Sequence, residues 1–115
     1  MYRFVLILWL VFLVTLSMLP LGIKNQIGTT GHLHNIGHVL AFTITGMLLT
    51  WKAESSFLRL MLACVALLIG FGLELLEHAV YKDLFEWSDV LLDAIGTLIA
   101  LAIVLFRPAA TARAR

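Results

Sequence analysis

Apolar residues run through this chain in long blocks, with the polar residues gathered between them. The first block, Phe4–Ile23, is interrupted only by Thr15, Ser17, Pro20 and Gly22. A helix of about 20 residues, rising about 1.5 Å each, crosses the roughly 30 Å hydrocarbon layer of a membrane. Arg3 ahead of it resembles the start of a secretory signal, but no A-x-A-like cleavage site follows. A retained signal-anchor helix is expected, punctuated at its end by Pro20 and Gly22. The second block, Ile36–Trp51, is shorter unless its polar start extends it outward. The third, Phe57–Leu73, carries Arg59 near one end, where the side chain can snorkel. The fourth, Val90–Phe106, is apolar apart from Asp93 and Thr97 and is closed by Arg107 and Pro108. These blocks predict an all-α fold, an integral membrane four-helix bundle. Its spans lie at about 4–23, 36–52, 57–77 and 89–106 within one domain, 1–107. A short basic tail, 108–115, follows, and no repeat or long linker suggests a second domain.

Helical spacing arranges the remaining polar residues into stripes, because residues three, four and seven apart share a face. On the fourth block Asp89, Asp93, Gly96 and Ala100 align. On the third, Ala63, Ala66, Gly70, Glu74 and Glu77 align, with His78 at the edge, and on the second His34, His38, Ala41 and Thr45 align. Each stripe is small at depth and polar toward one end. Small residues let membrane helices approach closely, and polar ones avoid lipid by facing inward, so the three stripes are expected to face one another. Gly70 and Gly96 are the expected packing positions.

Composition agrees with a membrane setting. Of 115 residues, 62% are hydrophobic and only 13% charged, too few charges for the surface of a soluble domain this small. The net charge of +1 and the lack of a Lys/Arg block give no footprint for nucleic acid. Cys64 is the single cysteine, which excludes a disulfide framework or a Cys-based zinc site. It lies between alanine and valine and reads as inert packing. Lysine and arginine placement sets orientation. With four spans, Arg3, Lys52, Arg59, Arg107, Arg113 and Arg115 share one side and Lys24 and Lys82 the other. The bias predicts both termini in the cytoplasm and the Lys24–Asn35 and Tyr81–Ser88 loops outside.

That topology collects His34, His38, Glu74, Glu77, His78, Asp89 and Asp93 at the outer pole as a candidate functional cluster. A charge at mid-bilayer costs about 2.5–3.5 kcal/mol on an insertion scale. Glu74 and Asp93 lie about one turn inside their spans, so they should be protonated, paired or open to a water-filled cavity, with His38 the obvious partner for either. Structural glue between helices is the competing reading for both. His32 reads as a loop residue, and Glu77, Asp83 and Glu86 read equally well as solvated acids. Asp89 is also explained as an N-cap or first-turn acid, and Trp9, Trp51 and Trp87 as interfacial aromatics. The segment "ELLEH" is not H-E-x-x-H, and neither a metal nor a cofactor is assigned from the sequence.

Two segments resemble the VanZ-like family of small bacterial membrane proteins. One is "HNIGHVLAF", whose His38 is similar to the family's histidine opening a transmembrane helix. The other spans Gly70–Ala100, where the family shows Gly-x3-Glu-x2-Gln, a loop usually containing Arg, then Asp-x3-Asn-x2-Gly. Gly70, Glu74, Asp89 and Gly96 match that spacing. Glu77 stands in place of the glutamine, Asp93 in place of the asparagine, and His34-Asn35 in place of an Asp-Lys pair. The loop arginine is absent, with Lys82 a loose substitute. The resemblance implies residence in the bacterial inner membrane and a link to low-level glycopeptide resistance, such as to teicoplanin, or to envelope maintenance. It implies no reaction.

Two classes of function therefore stand open. One is a non-enzymatic envelope protein, monomeric or homo-oligomeric, whose outer cavity takes a lipid-linked or cell-wall ligand; this is the favoured reading. The other is an intramembrane enzyme in which His38, Glu74 and Asp93 supply acid–base chemistry or bind a divalent cation with Asp89. Proton-coupled transport is a third possibility, although four short spans make a small transporter.

Overall fold

The computed structural model describes residues 2–18, 32–82 and 86–106, without the side chains of His32 and Leu33. Within them the chain forms four helices and no strand: α1 (Tyr2–Ser17), α2 (His32–Thr50), α3 (Ser56–Tyr81) and α4 (Trp87–Leu105). The expected end of the first span at Pro20 and Gly22, the loop through Lys24, Asp83, and everything from Arg107 onward lie outside the described residues.

Local chemistry sets the helix ends. Ser55, extended at φ −99° and ψ 150°, caps α3 by accepting the Leu58 N–H on its hydroxyl at 3.1 Å. Lys82 ends α3 in the left-handed region at φ 56°, the only non-glycine residue with positive φ among the described residues. Such a residue turns the chain out of the helix while satisfying its last carbonyls. α2 begins at His32, so its polar start does extend the apolar block outward, and His32 belongs to the helix instead of the loop. α3 continues to Tyr81, beyond the expected Glu77. At about 1.5 Å per residue its length is about 39 Å, longer than the roughly 30 Å hydrocarbon layer.

The helices alternate in direction. His34 at the start of α2 meets Asp89 at the start of α4, so these two run in parallel. At the far end of α3, the Tyr81 hydroxyl donates to the Met18 carbonyl just beyond α1. At the opposite end, Lys52 sits 4.7 Å above the Tyr2 ring, joining the α2–α3 turn to the start of α1. Arg59, near the start of α3, reaches back to donate from Nε to the Ala53 carbonyl at 3.1 Å and ties down that turn.

Size and polarity are sorted from outside to inside in the reverse of a soluble domain. The interior holds Ala63, Ala66, Gly70 and Glu74 of α3 and Asp89, Asp93, Gly96, Thr97 and Ala100 of α4. The surface holds Phe4, Ile7, Phe57, Leu68, Leu98 and many similar side chains. α3 and α4 are each long and apolar enough to cross a membrane, yet only 17% and 33% of their apolar windows are buried in the structure. A core helix of a soluble protein would bury most of such a window. α1 is apolar but only 16 residues long as described, and the histidines of α2 lower its apolarity.

α2 and α4 pack most intimately, because both present small residues along the contact. A Cβ on Gly96 would collide with the Val39 carbonyl oxygen and lie 3.0 Å from Thr43 N. A Cβ on Gly46 would lie 2.7 Å from the Ala100 Cβ. Gly46 escaped the sequence reading, since it adjoins its stripe without extending it. Trp9, expected as an interfacial aromatic, points inward and donates from Nε1 to Thr45 Oγ1 at 2.8 Å. An indole N–H on a helix surface surrounded by apolar residues is better satisfied by an interior hydroxyl than left unpaired.

Candidate functional site

The close α2–α4 contact delivers two i, i+4 pairs face to face. His34 and His38 are one turn apart on α2; Asp89 and Asp93 are one turn apart on α4. His38 Nδ1 lies 2.6 Å from Asp93 Oδ1, and His34 Nε2 lies 3.0 Å from Asp89 Oδ1. His38 Nε2 reaches Asp89 Oδ2 at 3.8 Å, so the two pairs form one connected cluster. The imidazole rings stand 4.6 Å apart at 59°. The carboxylates are the deeper members, with side chains 7% exposed for Asp89 and 4% for Asp93, against 30% and 23% for His34 and His38.

Of the two partners weighed for His38, the geometry selects Asp93. Glu74 is also buried, but its Oε1 accepts the backbone N–H of Glu86 at 2.9 Å. That bond crosses from α3 to the residue capping α4. Asp89 is not the N-cap; Glu86 holds that position at φ −97° and ψ 98°, and Asp89 is the first-turn acid. A negative charge there is favoured by the N-terminal end of the helix dipole. The Glu86 carboxyl itself titrates above its ordinary value, first through partial burial and then through the neighbouring Asp89 charge.

A cavity of about 130 Å³ opens beside the cluster. Its polar wall includes His34, His38, Glu74, Glu77 and Asp93, while Leu13 and Leu16 of α1 supply part of the apolar wall. Gly70 lies in its floor, where an added Cβ would be 2.6 Å from Asp93 Oδ2 and 3.1 Å from Phe42 Cε1. No lysine or arginine contributes to the wall among the described residues. Volume, polarity and acid excess suit several waters, a cation or a small polar headgroup with an apolar neighbour.

The structure thus gathers His34, His38, Glu74, Glu77, Asp89 and Asp93 of the expected cluster at one end of the bundle. His78 is exposed and outside the cavity wall, one residue and therefore about 100° around α3 from half-buried Glu77. Trp87 is exposed with its ring 6.0 Å from Phe71. Cys64 is exposed on the outward face of α3, away from the cluster, rather than packed inside. Compared with known proteins, the chain matches no family model, no curated protein and no solved structure.

Proposed function

We propose that this chain is a small VanZ-like integral membrane protein of the bacterial envelope. In this reading it crosses the inner membrane four times with both termini in the cytoplasm. Its cavity faces outward and binds the polar part of a lipid-linked or cell-wall ligand. The observation that carries this reading is the burial of Glu74, Asp89 and Asp93 among small residues while phenylalanines and leucines cover the outside. In lipid, that arrangement removes costly charges from hydrocarbon and leaves the apolar surface in its preferred solvent. In water, the same surface would be a continuous apolar liability. The outward orientation is supported by the six-to-two bias of basic residues. The family reading is supported by His38 and by the Gly70, Glu74, Asp89 and Gly96 spacing. A cavity with one polar and one apolar wall fits an amphipathic ligand better than a free ion or sugar alone.

The test compares abundance with phenotype in cells challenged with a teicoplanin-type glycopeptide, with and without the gene. Glu74→Gln keeps an oxygen to accept the Glu86 N–H and removes only the charge. It is expected to accumulate normally and to lose the tolerance the wild-type chain confers. An abundant Glu74→Gln variant with full tolerance would reduce Glu74 to a structural contact and overturn the pocket.

A further inference from the structure

We propose that His34, His38 and Asp89 form a three-ligand site for a first-row divalent transition-metal ion, with Asp93 as the residue that positions His38. This deepens the pocket reading above, on which it rests for the setting of the cavity. One donor atom from each of the three ligands falls within 4.8 Å of the others. A tetrahedral ion bound at about 2.0–2.2 Å separates its ligand atoms by about 3.3–3.6 Å. His34 Nε2 lies 3.0 Å from Asp89 Oδ1 and His38 Nε2 lies 3.8 Å from Asp89 Oδ2, so both imidazoles approach the same carboxylate at separations close to that range.

Hydrogen bonding points the same way. With His38 Nδ1 donating to Asp93 Oδ1 at 2.6 Å, the neutral ring leaves its Nε2 lone pair for an ion, 3.8 Å from Asp89 Oδ2. A cation between Nε2 and that oxygen would bind both. A carboxylate holding the far nitrogen of a metal-bound histidine is the usual support of such a ligand, fixing its tautomer and orientation. Two imidazoles and one carboxylate favour zinc, cobalt, iron or nickel over magnesium or calcium, which select all-oxygen shells.

The backbone keeps the donors in place. His34 and His38 share one turn of α2, and the Gly96 contact with Val39 and Thr43 anchors α4 against the following turn. The ligand set supplies three protein atoms, leaving a fourth position. His34 and His38 line the same cavity as Glu74 and Glu77, so a ligand entering it comes alongside two of the three donors. A ligand phosphate or carboxylate entering the cavity would meet the ion beside them.

The test uses the full chain carrying a tag without histidines, in nanodiscs of phosphatidylethanolamine and phosphatidylglycerol. The protein is stripped with chelator and titrated with Co2+ in excess Mg2+, then with Zn2+. The expected result is one Co2+ per chain with the intense visible absorption of a four-coordinate centre, displaced by Zn2+ and not by Mg2+. Asp89→Asn and His38→Ala should abolish that spectrum, and Asp93→Asn should weaken binding about 10–100-fold. His78→Gln, outside the cavity, should bind as wild type. Asp89→Asn preserves side-chain size, so a lost spectrum with unchanged helix content and melting reports the ligand and not the fold. Equal binding by wild type and the His34→Ala/His38→Ala double variant would overturn the site, as would displacement of Co2+ by Mg2+. Absence of bound Co2+ with tolerance still lost in Glu74→Gln would overturn the metal alone. Bound Co2+ with full tolerance in Glu74→Gln would overturn the pocket reading alone.

Discussion

Replacing Gly96 by alanine adds one methyl group at the tightest point between α2 and α4. That methyl would collide with the Val39 carbonyl oxygen and stand 3.0 Å from Thr43 N and 3.1 Å from Phe42 Cβ. Carbon-to-oxygen contacts between packed backbones settle at about 3.3–3.6 Å. The helices must therefore part by about an ångström at this point, and the yielding atoms belong to backbone, which cannot rotate away. Overpacking of this kind costs about 1–3 kcal/mol. Against it stands the gain of roughly 0.5–1 kcal/mol from replacing glycine with alanine within a helix. Gly72 supplies the control, because a Cβ there meets nothing within 4 Å. Gly72→Ala should keep the full helix gain. The difference in unfolding free energy between the two variants then isolates the packing penalty, about 1–3 kcal/mol in favour of Gly72→Ala. Reversible unfolding in mixed micelles of increasing SDS fraction, followed by helix content, measures it. Equal stability of the two variants would refute the α2–α4 contact.

Gly70→Leu should be more damaging than alanine at Gly96, since its side chain would enter the cavity floor against Asp93 and Phe42; Leu68→Ile, 68% exposed and volume-conserving, should change the melting temperature little. Similar melting for Gly70→Leu and Leu68→Ile would exclude the packing role of Gly70. A reporter active only in the cytoplasm should work when fused after Arg115, and one active only outside should work when inserted near Thr30. The reverse pattern would place the polar cluster on the cytoplasmic face and remove the cell-wall ligand.

The interior was legible in the sequence wherever a single helix carried the signal. Asp89, Asp93, Gly96 and Ala100 share a face by spacing alone, and all are buried. Ala63, Ala66, Gly70 and Glu74 repeat the case on α3. Depth alone left Glu74 and Asp93 as equal partners for His38, and the structure pairs it with Asp93. What the sequence left open depends on contacts between distant segments. The Glu86 N–H that satisfies Glu74 lies 12 residues away in the chain and on no shared helix, so no helical spacing pairs the two. Trp9 finds Thr45 across two helices, and Gly46 finds Ala100. The ligand-like set of His34, His38 and Asp89 had a readable signal, a His-x3-His facing an Asp-x3-Asp. Periodicity placed each pair on its own helix; the relative register of α2 and α4, which sets His34 opposite Asp89, required the structure.

The most direct test of an inverted, lipid-embedded bundle uses Cys64 as it stands. It lies on the exposed face of α3, with the Ser55 cap about 13 Å away along the helix. In water, such a thiol would react readily with a polar maleimide. In hydrocarbon, the reagent is excluded and the thiolate that reacts is disfavoured. Labelling is measured in intact membrane vesicles and again after SDS denaturation. No modification before denaturation and complete modification after it is the expected result. Rapid labelling of Cys64 in intact vesicles, or recovery of the chain in the soluble fraction, would contradict the membrane setting on which the buried cluster depends.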